Sequence, residues 1–518
     1  MQKEVELRLT ADKLNDDYFL EKKIRQILKI NSDEQLYYKL LKKSLDARKG
    51  RPKFLLRFLT STTTMPESPL EALNINYQSK HSKSILIIGA GPAGYFAALQ
   101  CIELGYQPIV VDRGKDVRER RKDLRAIQQL GEVNPNSNYC YGEGGAGTYS
   151  DGKLYTRAKK RGKIIKILKI LLDHGAPAAI AYDAHPHIGS NKLPGIISNI
   201  RETILSNGGE VHFNSQVTDL IIKDKKCLGA IVNNDREYLA DETILATGHS
   251  ARDIYQLLDD RRVKLEAKPF ALGVRIEHPQ ELIDEIQYKQ NPREEGLPAA
   301  SYALTAQVGS IGVFSFCMCP GGLIVPAATS PGEIVVNGMS LSKRNSPFAN
   351  SGIVTALSND ELINQGFDGV FGNLNFQKSV EQSLFQQGDG SMKAPAQNLI
   401  DFVTGQDMIE VNSSSYIPGV YRAPLHALLP EFVYQRLKAG LAAFAHKMKG
   451  FYTNEANVIA VESRTSAPIK IPRENDSCEH PEIKSLYPCG EGAGFAGGIL
   501  SAAMDGQRVV KAIHVKSI

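Results

Sequence analysis

Length, composition and charge exclude several broad classes for this chain. Its 518 residues exceed what one hydrophobic core supports and predict roughly two to four domains. With 42% hydrophobic and 23% charged residues and a net charge of only +5, it has neither the composition of a disordered protein nor the overall charge of a polyanion-binding protein.

The cysteines and the first residues indicate a compartment. Seven cysteines are spread along the chain, and charged residues follow Met1 almost at once, which is not typical of a secretory signal. No apolar run approaches the length of a membrane span, about 18 residues. We therefore expect reduced thiols, a cytoplasmic location and no membrane partner.

The first 62 residues predict a small α+β module. Residues 3–10 alternate polar and apolar side chains, as a half-buried strand does. Helical spacing over 17–29 and 34–48 predicts two helices, and the apolar residues 54–59 predict another strand. The first 60 residues carry fifteen Lys and Arg against nine Asp and Glu. This excess fits a solvated positive face or a surface that docks an acidic partner.

The rest of the chain divides at changes in composition. Residues 63–82, rich in Ser, Thr, Pro and Asn, predict a linker. We expect a nucleotide-binding domain over 83–265 and its second part over 451–518. Between them, residues 266–450 mix strands and helices without a nucleotide signature and predict a substrate domain.

The segment Ser84–Gly94 carries the strongest functional signal. A short apolar strand runs directly into Gly89, Gly91 and Gly94, which form the pattern G-x-G-x-x-G. In a strand–turn–helix unit the first glycine permits a tight turn, the second lets the backbone approach a pyrophosphate, and the third lets helix and strand pack closely. The helix N-terminus then offers free N–H groups to the phosphates.

A second apolar strand supports the same interpretation. It ends at Asp112, eighteen residues after Gly94, where an acidic side chain accepts the hydroxyls of a ribose. Strand, glycine turn, helix, second strand and terminal acid together predict a bound dinucleotide.

Two further glycine-rich segments favour FAD over NAD. An apolar strand ends at Thr247 and Gly248, and residues 490–498 read Gly-Glu-Gly-Ala-Gly-Phe-Ala-Gly-Gly. A flavin dinucleotide needs contacts beyond its pyrophosphate, and Glu491 is suited to hydrogen-bond a sugar or ribityl hydroxyl. A helix that begins near Gly498 would direct its positive end at the flavin, where negative charge develops on reduction.

Longer motifs carry a resemblance to a known family. The glycine pattern, Ala246-Thr-Gly248 and the terminal Gly-Glu-Gly resemble the glutathione-reductase-type FAD fold. More closely, the chain resembles the bacterial uncharacterised FAD-dependent dehydrogenases, also called NAD(FAD)-utilizing dehydrogenases. The motifs that carry this resemblance are Gly142–Lys153, Lys268–His278, Phe316–Gly322, Asn337–Ser340, Val461–Ser466 and Gly490–Gly498.

The resemblance implies a fold and a set of cofactor contacts. The implied fold is α/β: a Rossmann-like FAD-binding domain of the three-layer ββα type, with an inserted mixed α+β substrate domain. Asp112, where Glu is usual, would hold the adenosine ribose, and Arg113 the adenine side. The remaining implied contacts are Gly89, Gly91, Pro92, Ala93 and Gly94 at the pyrophosphate, then Val217, Thr247, Gly248, Gly490, Glu491, Gly498 and Ile499.

Three residues are candidates for catalysis. Cys317 and Cys319 form a C-x-C pair that either relays electrons by thiol–disulfide exchange or packs as two small apolar side chains beside a substrate loop. Arg275 either pairs with Glu277 across a sheet or binds an anionic substrate. The pair lacks a nearby His or Cys partner, so we expect no metal.

Four other polar residues are weaker candidates for contact with flavin or substrate. They are Lys153, His249, His278 and Arg464.

We therefore predict an FAD-dependent oxidoreductase that moves a hydride between flavin N5 and a small molecule. Because no second G-x-G-x-x-G follows an apolar strand, a nicotinamide donor would reach the flavin transiently through the substrate cleft. The basic N-terminus and the basic segment 157–169 raise a first alternative, an RNA-modifying flavoprotein. The modest charge and the lack of an RNP motif argue against nucleic acid. A second alternative is a non-catalytic flavin sensor or docking protein. The sequence makes no prediction of oligomeric state.

Overall fold

The N-terminal module is a three-stranded antiparallel sheet with one helix. The computed structural model describes residues 2–48, 50–155 and 164–517. Strand β3 lies between β1 and β2. Alternate residues of β1 are buried, as the sequence pattern predicts. The elements are β1 (Lys3–Leu9), α1 (Asp17–Leu28), β2 (Tyr37–Asp46) and β3 (Lys53–Ser61).

The prediction of a helix over 34–48 was wrong, because that segment contains strand β2. Its register against β3 shifts between Leu40 and Lys42. Such a bulge adds one residue and moves the following side chains to the other face of the strand. Tyr38, Leu40 and Leu45 therefore all pack against the core although their spacing breaks a strict alternation. The broken alternation produced an apparent helical period.

The FAD-binding domain is built on a five-stranded parallel sheet with strand order β22-β10-β4-β5-β6. Its strands and those that pack on them are β4 (Ser84–Ile88), β5 (Gln107–Val111), β6 (Glu210–His212), β7 (Val217–Lys223), β8 (Lys226–Val232), β9 (Arg236–Leu239), β10 (Glu242–Leu245) and β22 (Leu486–Pro488). The helices are α2 (Pro92–Glu103), α3 (Val117–Gln129), α4 (Ile164–Asp173), α5 (Leu193–Ser206), α6 (Arg252–Asp260) and α13 (Ile499–Ser517).

Alternation along β4 explains the three layers of this domain. Ile85 and Ile87 lie in one apolar cluster with residues of α2, α5 and α13. Leu86 and Ile88 lie in a second cluster with residues of the antiparallel sheet β7-β8-β9. A strand buried on both faces reads as a continuous apolar run, which is the pattern of Ile85–Ile88. The predicted three-layer ββα domain is confirmed.

The inserted domain is a mixed sheet covered by helices. Its seven strands follow the order β13-β14-β17-β12-β20-β18-β19, and all neighbours are antiparallel except β18 and β19. The strands are β12 (Phe270–Pro279), β13 (Thr305–Val308), β14 (Ile311–Cys319), β17 (Phe348–Leu357), β18 (Ala394–Asn398), β19 (Val420–Arg422) and β20 (Asn457–Glu462), with β15 (Leu323–Pro326) and β16 (Val336–Met339) as a separate hairpin. The helices are α7 (Gln280–Tyr288), α8 (Asn359–Asn364), α9 (Gly372–Gln386), α10 (Leu399–Thr404), α11 (Leu425–Leu428) and α12 (Glu431–Lys447).

Two details of the predicted organisation change. Strand β20 hydrogen-bonds to β12 and β18, so the boundary expected at 450/451 moves to follow β20. The chain passes between the two domains twice, and the two connecting segments pair as short antiparallel strands, β11 (Glu266–Ala267) and β21 (Ile469–Lys470). In the predicted basic helix 157–169, residues up to 163 lie outside the described part of the chain. Among the described helices, none has the length and apolarity needed to cross a membrane.

Candidate functional site

The glycine turn between β4 and α2 is dictated by close backbone contacts. Gly89 has a φ of 110°, and a Cβ added to it would lie 2.4 Å from the carbonyl oxygen of Ala246. A Cβ on Gly94 would lie 1.9 Å from the carbonyl oxygen of Gly89. A Cβ added to Gly91, the residue before α2, would meet only the Cα of Gly145, at 3.8 Å. The first and third glycines therefore fix the turn, and the second leaves space above it.

That space belongs to a cavity of about 370 Å³, within the usual range for cofactor and ligand sites. Three turns from distant parts of the chain present bare backbone to it: Gly91, Gly248 and Gly497–Gly498. A Cβ added to Gly248, Gly497 or Gly498 would meet no atom within 4 Å. Twelve of the fourteen predicted cofactor residues line this cavity: Gly89, Gly91, Pro92, Ala93, Asp112, Arg113, Val217, Thr247, Gly248, Glu491, Gly498 and Ile499.

The other two predicted cofactor residues serve packing. Gly94 brings α2 against the glycine turn, as described above. The N–H of Gly490 donates to Asp505 Oδ2 at 2.8 Å, and a Cβ on Gly490 would lie 2.8 Å from the Cβ of Ala93. Neither residue lines the cavity, so we no longer expect direct cofactor contact from them.

Asp112 is fixed at the end of β5 by the backbone. Its Oδ2 accepts from the N–H of Ala90 at 2.9 Å, and its Oδ1 accepts from the N–H of Gly114 at 2.8 Å. A carboxylate has about four acceptor positions, so capacity remains for ribose hydroxyls. Arg113 pairs with Asp253 and lies over the ring of Tyr141, 4.7 Å from its centroid. Tyr141 also lines the cavity, and no pattern in the sequence singles it out as a site residue.

Glu491 faces the cavity beside the start of α13. Burial raises the pKa of this carboxyl to about 7, although Lys268 and the backbone of Gly498 oppose the shift. Helix α13 begins at Ile499, so its first N–H groups have no partner within the helix and lie at the cavity wall. This arrangement provides both a hydroxyl acceptor and a positive helix end for a bound flavin. The residues fit FAD, which would supply two-electron redox chemistry when bound.

The substrate domain contributes the opposite wall of the cavity. Phe316 and Cys317 of β14 and Asn337 and Gly338 of β16 line it, together with Lys153. Lys153 donates to the carbonyl oxygen of Met318 and lies 3.6 Å from Asp151 Oδ2. Cys319 is fully buried and lies behind this wall.

Arg275 does not face the cavity. It is fully buried and donates to Glu462 at 2.7 Å, to Asn350 Oδ1 at 2.6 Å and to the carbonyl oxygen of Cys317 at 3.4 Å. The expected pairing with Glu277 was wrong, because Glu277 instead accepts from Ser415. Arg275 does not line the cavity and lies on a fully buried central strand, so we no longer expect it to contact an anionic substrate directly. Arg275 holds the cysteine loop from behind.

Of the weaker polar candidates, His278 is excluded from the cavity. Its Nε2 lies 2.8 Å from the carbonyl oxygen of Phe451, and burial lowers its pKa to about 4. His249 lines the cavity, and burial together with Arg464 and Arg252 lowers its pKa to about 4. Arg464 also lines the cavity, but its charge is paired with two carboxylates and its guanidinium donors are already hydrogen-bonded.

Those engagements form a buried cluster between the two domains. Arg464 of the substrate-domain side and Arg252 of α6 both pair with Glu333 and Glu381, at distances of 2.7 to 3.0 Å. Burial raises the pKa of Glu381, but the two arginines outweigh it and lower that pKa to about 2. The cluster anchors α6, which follows Gly248 and His249, against the substrate domain.

A three-layer ββα domain, three glycine turns around one cavity and an acidic residue after β5 define a flavoprotein. Family models match most of the chain: pyridine nucleotide-disulphide oxidoreductases over 83–266, the C-terminal domain-like part of FAD-dependent proteins over 269–465, and a domain of unknown function over 1–59. FAD is therefore the cofactor of this protein.

A relative extends the match to the full length. An uncharacterised protein of Clostridium beijerinckii is 40% identical over 523 residues, covering 97% of this chain and 97% of that protein. The chain belongs to the same family of FAD-dependent oxidoreductases. The narrower identification with NAD(FAD)-utilizing dehydrogenases stays a prediction.

Among solved structures, similar chains include glycine oxidase from Bacillus cereus and a geranylgeranyl bacteriochlorophyll reductase-like protein from Thermoplasma acidophilum. The first is 12% identical, covers 84% of this chain and 96% of its own, and has a TM-score of 0.31. The second is 12% identical, covers 85% of this chain and 80% of its own, and has a TM-score of 0.34.

Proposed function

We propose that the protein transfers a hydride between N5 of bound FAD and a small molecule that binds on the Cys317 side of the cavity. The observation that carries this proposal is the shared cavity wall. Glycine turns of the FAD-binding domain form one side, and Phe316, Cys317 and Asn337 of the substrate domain form the other. A flavin held by the first side would have its reactive edge near the second.

A reduced nicotinamide is the electron donor that we propose. The G-x-G-x-x-G segment that directly joins an apolar strand to a helix is Gly89–Gly94, and the FAD-binding domain uses it. The further matches at 142–147 and 492–497 belong to loops that line the same cavity, so they do not indicate a second dinucleotide domain. The donor would therefore bind transiently in the substrate cleft and leave before the acceptor enters. Lys153, beside the cleft, offers a positive charge for its phosphates.

The experiment is an anaerobic reduction screen of the FAD-loaded protein, followed by flavin absorbance. NADH, NADPH and a panel of metabolites are each mixed with the oxidised protein in a stopped-flow instrument. Fast bleaching by a nicotinamide or a metabolite supports the proposal and identifies the donor. Bleaching by dithionite alone would contradict it and favour a flavin-binding protein without catalysis.

A further inference from the structure

The backbone around Cys317 is arranged to aim one side chain at the cavity. The register of β14 against β17 shifts between Phe316 and Cys319, and Cys317 has a φ of 46°. Bulges redirect side chains near active sites, and left-handed backbone at a residue other than glycine is costly unless its surroundings hold it. The result is that Cys317 is partly exposed in the cavity while Cys319 is buried behind it.

The two cysteines interact with each other. The Cys319 sulfur lies 3.3 Å from the carbonyl oxygen of Cys317, and the single proton of its thiol can be donated either to that oxygen or to the Cys317 sulfur. The hydrogen bond from Cys319 lowers the pKa of Cys317 to about 5, and the positive charges of Lys153 and Arg275 act in the same direction. The same hydrogen bond, together with burial, raises the pKa of Cys319. These opposite directions favour the thiolate at the cavity-facing sulfur and the thiol at the buried one.

Two cations hold the backbone of this loop. Lys153 donates to the carbonyl oxygen of Met318, and Arg275 donates to that of Cys317. In contrast, burial disfavours the thiolates of Cys101, Cys227, Cys478 and Cys489 and raises their pKa. Low thiol pKa, partial exposure and a second thiol alongside are the properties of redox-active cysteines.

We propose that Cys317 and Cys319 form a redox-active pair that accepts two electrons from the reduced flavin and passes them to a small disulfide. This rests on the proposed function, because the flavin supplies the electrons after a nicotinamide has reduced it. It deepens that function by naming the class of acceptor.

The electrons and protons balance over two steps. First, two electrons and one proton from the reduced flavin break the Cys317–Cys319 bond, leaving Cys317 as thiolate and Cys319 as thiol. Second, the Cys317 thiolate attacks one sulfur of the disulfide, forming a mixed disulfide and releasing one thiolate. Cys319 then attacks Cys317, restores the bond between them and releases the second product, which takes the Cys319 proton.

The test is an anaerobic dithionite titration of the FAD-loaded protein, which is first oxidised with diamide and freed of excess oxidant, with free thiols counted by alkylation and mass spectrometry before and after reduction. We expect the native protein to take up four electrons per FAD and to gain two alkylated cysteines, Cys317 and Cys319. Cys317→Ser and Cys319→Ser should each take up two electrons. Cys227→Ser changes a cysteine that does not line the cavity and whose donation to the carbonyl oxygen of Gly229 a serine can replace, so it is the control and should still take up four.

The outcomes separate this inference from the function on which it rests. Uptake of two electrons by the native protein, with no new thiols, would overturn the redox pair while leaving flavin reduction intact. Failure of the nicotinamides and metabolites to reduce the flavin would instead overturn the proposed function. The fully reduced protein is then mixed with cystine or glutathione disulfide. Loss of the two thiols supports the disulfide acceptor, and their persistence with both compounds refutes it.

Discussion

Replacing Lys153 with methionine tests how the site ionises Cys317. Lys153 is partly exposed, with 35% of its side chain accessible, so methionine of similar length can occupy the space without burying a new polar group. The substitution removes a positive charge beside the Cys317 thiolate. It leaves the carboxylate of Asp151, which disfavours that thiolate and stays paired with Arg344 at 2.5 Å. Both effects raise the pKa of Cys317.

The size of the effect follows from the position of that pKa. In the native protein the pKa of Cys317 is about 5, so about half of the thiol is ionised at pH 5. Loss of one nearby opposite charge raises a pKa by about 1 to 2. The thiolate fraction at pH 5 then falls about 5- to 50-fold, whereas near pH 9 both proteins are almost fully ionised.

The assay is the initial rate of iodoacetamide alkylation at Cys317, followed by peptide mass spectrometry between about pH 4 and 9. Only the thiolate reacts, so the rate profile reports the ionisation of this side chain. Lys153→Arg keeps the charge and is the matched control, expected to follow the native profile. A Lys153→Met profile that superimposes on the native one would refute the electrostatic explanation.

Three further changes test the cofactor site and the domain contact. Gly94→Ala forces a Cβ to 1.9 Å from a carbonyl oxygen, so it should lower the free energy of unfolding by about 1–3 kcal/mol and reduce the FAD content of the purified protein. Gly195→Ala, where an added Cβ meets no atom within 4 Å, is the control and should change neither quantity. Equal FAD content in the two variants would contradict this prediction. For Glu491, a folded-state pKa of about 7 against an ordinary 4.5 means that the folded apoprotein binds more protons in that window. Its stability should therefore fall as the pH rises from 4.5 to 7, and Glu491→Gln should reduce this fall in thermal midpoint; unchanged slopes would count against it. Glu381→Gln leaves the buried Arg464 and the partly buried Arg252 without one of their two carboxylate partners, and it should lower the free energy of unfolding by about 3–5 kcal/mol in chemical denaturation. Glu455→Gln, at an exposed position, is the control, and an equal cost for both variants would reject the cluster's role.

The sequence predicted the FAD-binding domain because its signals are local. A glycine with positive φ, an apolar strand buried on both faces and an acid at the end of the next strand each depend on a few adjacent residues. The cavity accordingly contains twelve of the fourteen cofactor residues that were predicted. The same local logic failed at β2, where one extra residue at a bulge mimicked a helical period.

Only the tertiary structure decided what surrounds the cysteines. Lys153 and the Met318 carbonyl that it contacts are 165 residues apart, and Arg275 and Glu462 are 187 residues apart. No periodicity or spacing encodes such pairs, because they form only when β12, β14 and β20 lie in one sheet against the glycine-rich loop of the other domain. The sequence thus determined that the chain binds FAD, and the fold determined that Cys317, of the seven cysteines, lies at the cavity between two cations that lower its pKa.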